Sequence, residues 1–247
     1  MPVIEVDRVS KRFGELRAVE DVAFSVEKGE VYGLLGENGA GKTTTMRMMA
    51  TILQPTSGDI RIRGFSVRRE PVEVRRCIGI LFGGDVGLYS RLTARENIAY
   101  FGKLYGLDDR MLAQRMESLS SMLDMKEFMD RRVGGFSRGM RQKVAIARTL
   151  VHDPDVILLD EPTTGLDVTA ANMFRRMVAR LQEEGKTILF SSHNMGEIER
   201  LCNRIAIMHK GRLAYAGTIE GLRNKVKMND LDDIFMAMVE GGGLDET

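Results

Sequence analysis

Cysteine is almost absent: Cys77 and Cys202 are the only two in 247 residues, and they form no C-x-x-C pair. Such usage excludes a disulfide framework and fits free thiols in a reducing cytosol. A charge excess of either sign is missing too. With 36 basic against 35 acidic side chains the formal net charge is +1, which argues against a nucleic-acid partner. No uncharged apolar run approaches the ~18 residues that cross a bilayer, so no direct membrane span is expected. The opening "MPVIEVDRVSKRF" meets charges at once and holds no signal-peptide stretch. Internal repeats, heptads and low-complexity linkers are also lacking.

What is present is enough for a sizeable core. Hydrophobic residues make up 43% and charged residues 29%, in a length that suits one large domain or a domain with a subdomain. Methionine is plentiful, with 17 residues, and fits either adaptable core filling or, in 111–129, a pliable docking surface. Short apolar runs alternate with helical patterns, which predicts an α/β fold with a mostly parallel sheet. Strands are expected at 3–9, 18–26, 31–35, 59–63, 78–82, 156–160, 187–191, 204–209 and 212–216. Helices are expected to begin at Gly41, Thr93, Asp109, Ser137, Thr169 and Met195. The pattern divides the chain into a core of 1–84 with 136–219, a helical insertion over 85–135, and a C-terminal appendage over 220–247 ending in a mobile "EGGGLDET".

"GENGAGKTT" at 36–44 matches G-x-x-x-x-G-K-[ST] between a strand pattern and a helical one. Backbone N–H groups of such a loop close on phosphates, with Lys42 reaching the β/γ oxygens and Thr43 offering its hydroxyl to Mg²⁺. Gly36, Glu37, Asn38, Gly39, Ala40, Gly41, Lys42, Thr43 and Thr44 are therefore the candidate nucleotide contacts. "DVILLDEPTTGLD" at 155–167 places Asp160 and Glu161 at the exit of an apolar strand, where carboxylates need partners. Asp160 suits a Mg²⁺ ligand, and Glu161 suits a base that polarises the attacking water. His193, ending "TILFSSH", is a candidate γ-phosphate contact, and Phe13 in "SKRFG" is either a core aromatic or a stacking surface for adenine. His152 and His209 carry no such expectation.

A second anion site is written into "FSRGMRQKVAIARTL" at 136–150, where Ser137 and Gly139 open a helical run beside several cations. Together these motifs resemble the ATPase subunit of an ABC (ATP-binding cassette) transporter over essentially the whole chain. The resemblance implies a P-loop NTPase core with an N-terminal antiparallel β part, an inserted helical subdomain, and ATP with Mg²⁺ as cofactors. It implies Phe13 as the adenine-stacking aromatic, His193 as the histidine switch, and "TGLD" with Asp167 as the D-loop. "FSRGM" stands where the family writes LSGGQ, a loop that meets the γ-phosphate of ATP on another subunit, so Ser137 and Gly139 would complete a partner's site in a homodimer. Arg138 and Met140 depart from that signature. The family's Gln after "IGILF" is absent as well, with Gly83 or Gly84 in its place.

"GGDVGLYSRLTARENIAYFGKLYGL" and "LDDIFMAMV" are most similar to cassettes of the sodium-extrusion and drug-export group, paired with ABC-2-type permeases. That likeness implies export driven through a separate transmembrane permease, with the subunit peripheral at the cytoplasmic face of the membrane. A non-transport cassette ATPase, a P-loop kinase and a non-hydrolysing regulatory subunit remain open on these grounds.

Overall fold

The computed structural model describes residues 2–83, 87–165 and 167–240. Two sheets organise the chain. The first is antiparallel, in the order β2(Leu16–Glu27), β1(Pro2–Phe13), β4(Ser57–Ile62), β5(Phe65–Ser66). The second has six strands in the order β10(Arg212–Thr218), β9(Arg204–His209), β3(Val31–Leu35), β8(Thr187–Ser192), β7(Val156–Asp160), β6(Ile78–Leu81). All its pairings are parallel except the β9–β10 hairpin. The parallel strands read as unbroken apolar runs because both of their faces are covered.

Side-chain alternation then sorts each strand into two cores. Val31, Leu35, Ile157, Leu159, Ile188, Phe190, Ile205 and Ile207 face one cluster, shared with α3(Ala94–Leu104), α4(Asp109–Met122), α5(Arg138–Leu150) and α6(Val168–Glu183). Tyr32, Leu34, Val156, Leu158, Leu189, Ala206 and Met208 face the other, shared with the antiparallel sheet and α1(Lys42–Met49). Most described methionines fill core: Met46, Met48, Met49, Met125 and Met208 are wholly buried. Met111 is half exposed.

The expected strands are all present, with ends moved by a few residues. Corrections concern short elements. The two-residue β5, α2(Pro71–Cys77), α8(Ile219–Val226) and α9(Leu231–Glu240) are additional, and the expected helix at Thr169 starts at Val168 with Asp167 as its cap. Residues 220–240 form two helices packed on the core beside α7(Met195–Leu201), with Leu231, Ile234, Phe235 and Met238 buried in the larger cluster. The rest of the expected mobile tail, 241–247, lies outside the described residues. Among the described residues no helix is long and apolar enough to cross a membrane.

Strand order decides where chemistry collects. β3, β8 and β7 are neighbours, so the loops leaving their carboxyl ends open into one crevice, the usual ligand position of an open α/β sheet.

Candidate active site

The loop after β3 is built to bring backbone close to a ligand. Gly36 and Gly41 have φ values of 153° and 103°, a region that favours glycine. A Cβ at Gly36 would come 2.5 Å from the Met208 carbonyl oxygen, and one at Gly41 2.8 Å from that of Ala18. The hairpin turn beyond β9 braces the loop, since the Gly211 N–H donates to Ala40 O and Gly211 O accepts from Glu20 N–H. Lys42 is buried, and its Nζ donates to the carbonyls of Gly36 at 2.6 Å and Glu37 at 3.1 Å. Glu37, Asn38, Gly39, Gly41, Lys42, Thr43 and Thr44 line a 150 Å³ cavity with Ala18 and Glu161, while Ala40 is buried behind it.

Next to it lies a 660 Å³ cavity bordered by Thr43, Arg47, Gly83, Arg138, Glu161 and His193, among others. Asp160 ends the buried strand β7 and is itself buried. Its charge is met on both oxygens: Thr43 Oγ1 donates to Oδ2 at 2.8 Å, and Ser191 Oγ donates to Oδ1 at 2.6 Å. Thr43 and Asp160 thus share one corner, and a hydroxyl beside a carboxylate is the donor set that suits Mg²⁺, which completes its shell with water and phosphate oxygens.

Glu161 has a left-handed backbone, φ 48°, unusual for a side chain of this size and costing on the order of 1–3 kcal/mol. The turn is over-determined: Glu161 N–H donates to the Ser191 hydroxyl and carbonyl, at 3.0 and 3.2 Å. Oε2 accepts from His193 Nδ1 at 2.8 Å and from Thr164 Oγ1 at 3.0 Å. Oε1 is buried without a hydrogen bond, 3.7 Å from Lys42 Nζ. One oxygen of the carboxylate is fixed, and the other is left toward the cation of the cradle.

Other expected residues are placed differently. Phe13 is exposed near the β1–β2 turn with Lys11 over its ring, and lines neither cavity; from β2 it is Ala18 that reaches the loop. Asp167 caps α6 by accepting from Ala170 N–H at 2.8 Å, and borders a 320 Å³ cavity with His193 and Thr164. Ser137 caps α5, its Oγ accepting from Met140 N–H at 3.2 Å, and Gly139 has open space where a Cβ would stand. Gly83 borders the larger cavity, where a Cβ would lie 3.1 Å from Asp160 O; Gly84 is outside the described residues.

Residues that motif reading passed over include Ser191, Thr164, Arg47 and Gln142, while Arg138 was noted as a departure from the signature but given no role. Only Ser191 had a signal, a hydroxyl at the end of a buried apolar strand.

Comparisons with known proteins give the family. A family model described as ABC transporter matches residues 19–164. The ABC transporter ATP-binding protein NatA of Bacillus subtilis (strain 168) is 51% identical over 97% of this chain and 99% of its own. Nod factor export ATP-binding protein I of Burkholderia lata is 39% identical, over 90% of this chain and 73% of that protein. The linearmycin resistance ATP-binding protein LnrL of B. subtilis is 35% identical, over 87% and 69%. A solved ATP-binding subunit of an ABC transporter superposes with a TM-score of 0.89 at 29% identity, covering 96% of this chain and 99% of its own. Another, an ATP-binding cassette solved as a dimer in a post-hydrolysis state with ADP and Pi, gives 0.79 at 25% identity over 87% and 98%. Family and fold together set aside the kinase reading: the chain belongs to the ABC transporter family, as an ATP-binding and ATP-hydrolysing subunit of a transporter.

Proposed function

We propose that this subunit works in a head-to-tail pair of identical chains and hydrolyses ATP with Mg²⁺. The cycle drives export through a separate ABC-2-type permease, which holds the subunit at the cytoplasmic face of the membrane. The observation that carries the chemistry is the division of labour between the two oxygens of Glu161. His193 and Thr164 fix Oε2, so Oε1 is presented on the side of Lys42, whose place in such a loop is at the β/γ oxygens. From there Oε1 takes the proton of a water attacking the γ-phosphate, and His193 holds the carboxylate in register. Thr43 and Asp160 would hold Mg²⁺, whose charge neutralises the phosphate oxygens when it is bound.

The pair is supported by the dimeric, ADP- and Pi-bound neighbour and by Gly139. Among the described residues no atom lies within 4 Å of a side chain placed there, so the helix start has room for a group from a second copy. Export is supported by relatives named for Nod factor export and linearmycin resistance. The permease would dock beside α3, where Tyr89 packs edge-on to Tyr100 at 5.5 Å and both stay half exposed, with Leu104 one turn further on.

Glu161→Gln tests the chemistry. It should retain ATP binding and lower turnover by roughly 10²–10⁴-fold, the usual contribution of a positioned base. Turnover near that of the parent would overturn the assignment. For the partner, the tagged chain should co-purify from mild detergent with a polytopic membrane protein, and recovery without one would count against the permease.

A further inference from the structure

The signature turn of this chain carries a side chain where the family pattern has none, and the structure shows where it goes. Arg138 opens α5, and its Nη2 donates to the carbonyl oxygen of Thr164 at 2.6 Å. Its guanidinium lies against Gly165, where a Cβ would collide with Nη1, so the bare α-carbon of Gly165 makes the room. One helical turn further along the same face, Gln142 Nε2 donates to Pro162 O at 2.9 Å. Residues four apart on a helix are neighbours, and here they grip alternate carbonyls of one short loop. That loop runs straight on from Glu161. Its Thr164, held by Arg138 through the backbone, donates its hydroxyl to Glu161 Oε2 at 3.0 Å. Arg138 and Glu161 border the same 660 Å³ cavity.

We infer that Arg138 is a positioning residue for the base of its own chain: clamped with Gln142 on the 162–164 loop, it sets the Thr164 hydroxyl that orients Glu161. The inference deepens the reading of Glu161 as base and rests on it. Its physical logic is that Glu161 sits in an unfavourable left-handed backbone conformation, so its rotamer depends on what over-determines the turn. Ser191 grips that turn on the side of β8, and the α5 clamp grips it on the other. A glycine at 138 would leave Thr164 O without its cationic donor. The loop would still be held at Pro162 O by Gln142 and at the Thr163 hydroxyl by Glu197, but no longer at Thr164 itself. The same contact joins the signature turn to the base within one subunit, so a displacement of α5 by an incoming partner reaches Glu161 through the clamped loop and the Thr164 hydroxyl.

The test is steady-state ATP hydrolysis by the full chain carrying Arg138→Ala, Arg138→Lys, Thr164→Val, the Arg138→Ala/Thr164→Val double, and Glu161→Gln as reference. Arg138→Ala should lower kcat about tenfold and leave KM for ATP within about twofold, as for an interaction that acts on the chemical step. Arg138→Lys, keeping a cationic donor, should recover most of the loss, and thermal midpoints should stay together across the series. The double variant should lose no more than Thr164→Val alone, because both changes cut one chain of contacts. Losses that multiply, or a rise in KM with kcat kept, would overturn the inference and make Arg138 a direct ligand of a phosphate. An Arg138→Ala enzyme with parental kcat would overturn it as well. If Glu161→Gln itself turned over normally, the base assignment would fall; if Glu161→Gln is inactive and Arg138→Ala is not impaired, only the clamp falls.

Discussion

At the scale of single residues, two polar groups, one wholly buried and one partly buried, make opposite predictions. Tyr32 is wholly buried on β3, stacked on Phe24 with ring centroids 5.5 Å apart, and its hydroxyl has no hydrogen-bond partner. Burial pushes that phenol up, out of the ordinary tyrosine range. Tyr32→Phe keeps the stack and removes the orphan, so it should be neutral or stabilise by about 1 kcal/mol in denaturant unfolding. A loss of that size would mean the hydroxyl is satisfied after all. His152 is stacked on Tyr105 at 3.6 Å, with Nε2 3.0 Å from Ile78 O, and burial lowers its pKa from 6.5 to about 4. The unfolded chain therefore takes up a proton at a pH where the folded chain does not. This contribution to stability is intact above about pH 6.5 and declines as pH falls toward 4, by on the order of 1–2 kcal/mol at pH 5. His152→Gln should flatten the drop in melting temperature between pH 7 and pH 5; an unchanged drop would place the acid sensitivity elsewhere. Neither environment was legible in the sequence, because burial and stacking partners come from distant elements. The glycine-rich turn that holds Gly36 and Lys42 was legible because its left-handed backbone requires its residue types at fixed short spacing. The Arg138 contact was not, because its acceptor is a backbone carbonyl, which sequence does not distinguish from any other.

At the scale of elements, legibility followed length and cover. The parallel strands stood out since burial on both faces demands continuous apolar runs, as in Val156–Leu159. The seven residues of α2 span under two turns, too few to show a helical period, and β5 is only two residues long. α9 reads as an apolar stretch near the end of the chain, yet its Leu231, Ile234, Phe235 and Met238 are buried in the same core that holds Phe174 and Phe190. This makes α9 part of the folding unit. Ile234→Ala should cost about 2–5 kcal/mol, the range for deleting buried branched carbons, and lower the single cooperative melting midpoint. A separate early transition with the main midpoint unmoved would show instead that α9 unfolds on its own. α3 offers a contrasting test on its outward side. Leu104→Glu removes exposed apolar surface and should leave the melt unchanged. Tyr100→Glu should lower the midpoint slightly by breaking its edge contacts with Tyr89 and Phe101, and both should abolish co-purification of the membrane partner. Retained co-purification would move the docking site away from this helix.

At the scale of the whole molecule, the question is whether two chains share their sites. In one chain the Ser137 hydroxyl caps its own helix, and Ser137 lines neither cavity at the phosphate loop. The shared-site reading requires a second copy to bring its own loop to that helix start. Lys42→Ala breaks the cradle, and Ser137→Arg blocks the signature at the cost of a helix cap, about 1 kcal/mol. Each homodimer should be nearly inactive, because both composite sites carry a lesion. Mixed under exchange, a heterodimer would have one site with both lesions and one with neither. The intact site joins the good cradle of the Ser137→Arg chain to the good signature of the Lys42→Ala chain. Random pairing makes half the dimers mixed, each with one good site, so activity should return to at most roughly a quarter of the parent. If cradle and signature met within one chain, every site in the mixture would be broken and mixing would restore nothing. Sites that must fire together would also give no turnover, but the intact one would still bind, so occluded ATP in the mixed dimer separates that case. Mixed dimers that form yet neither hydrolyse nor occlude ATP would show that the two anion-binding turns do not meet across the pair.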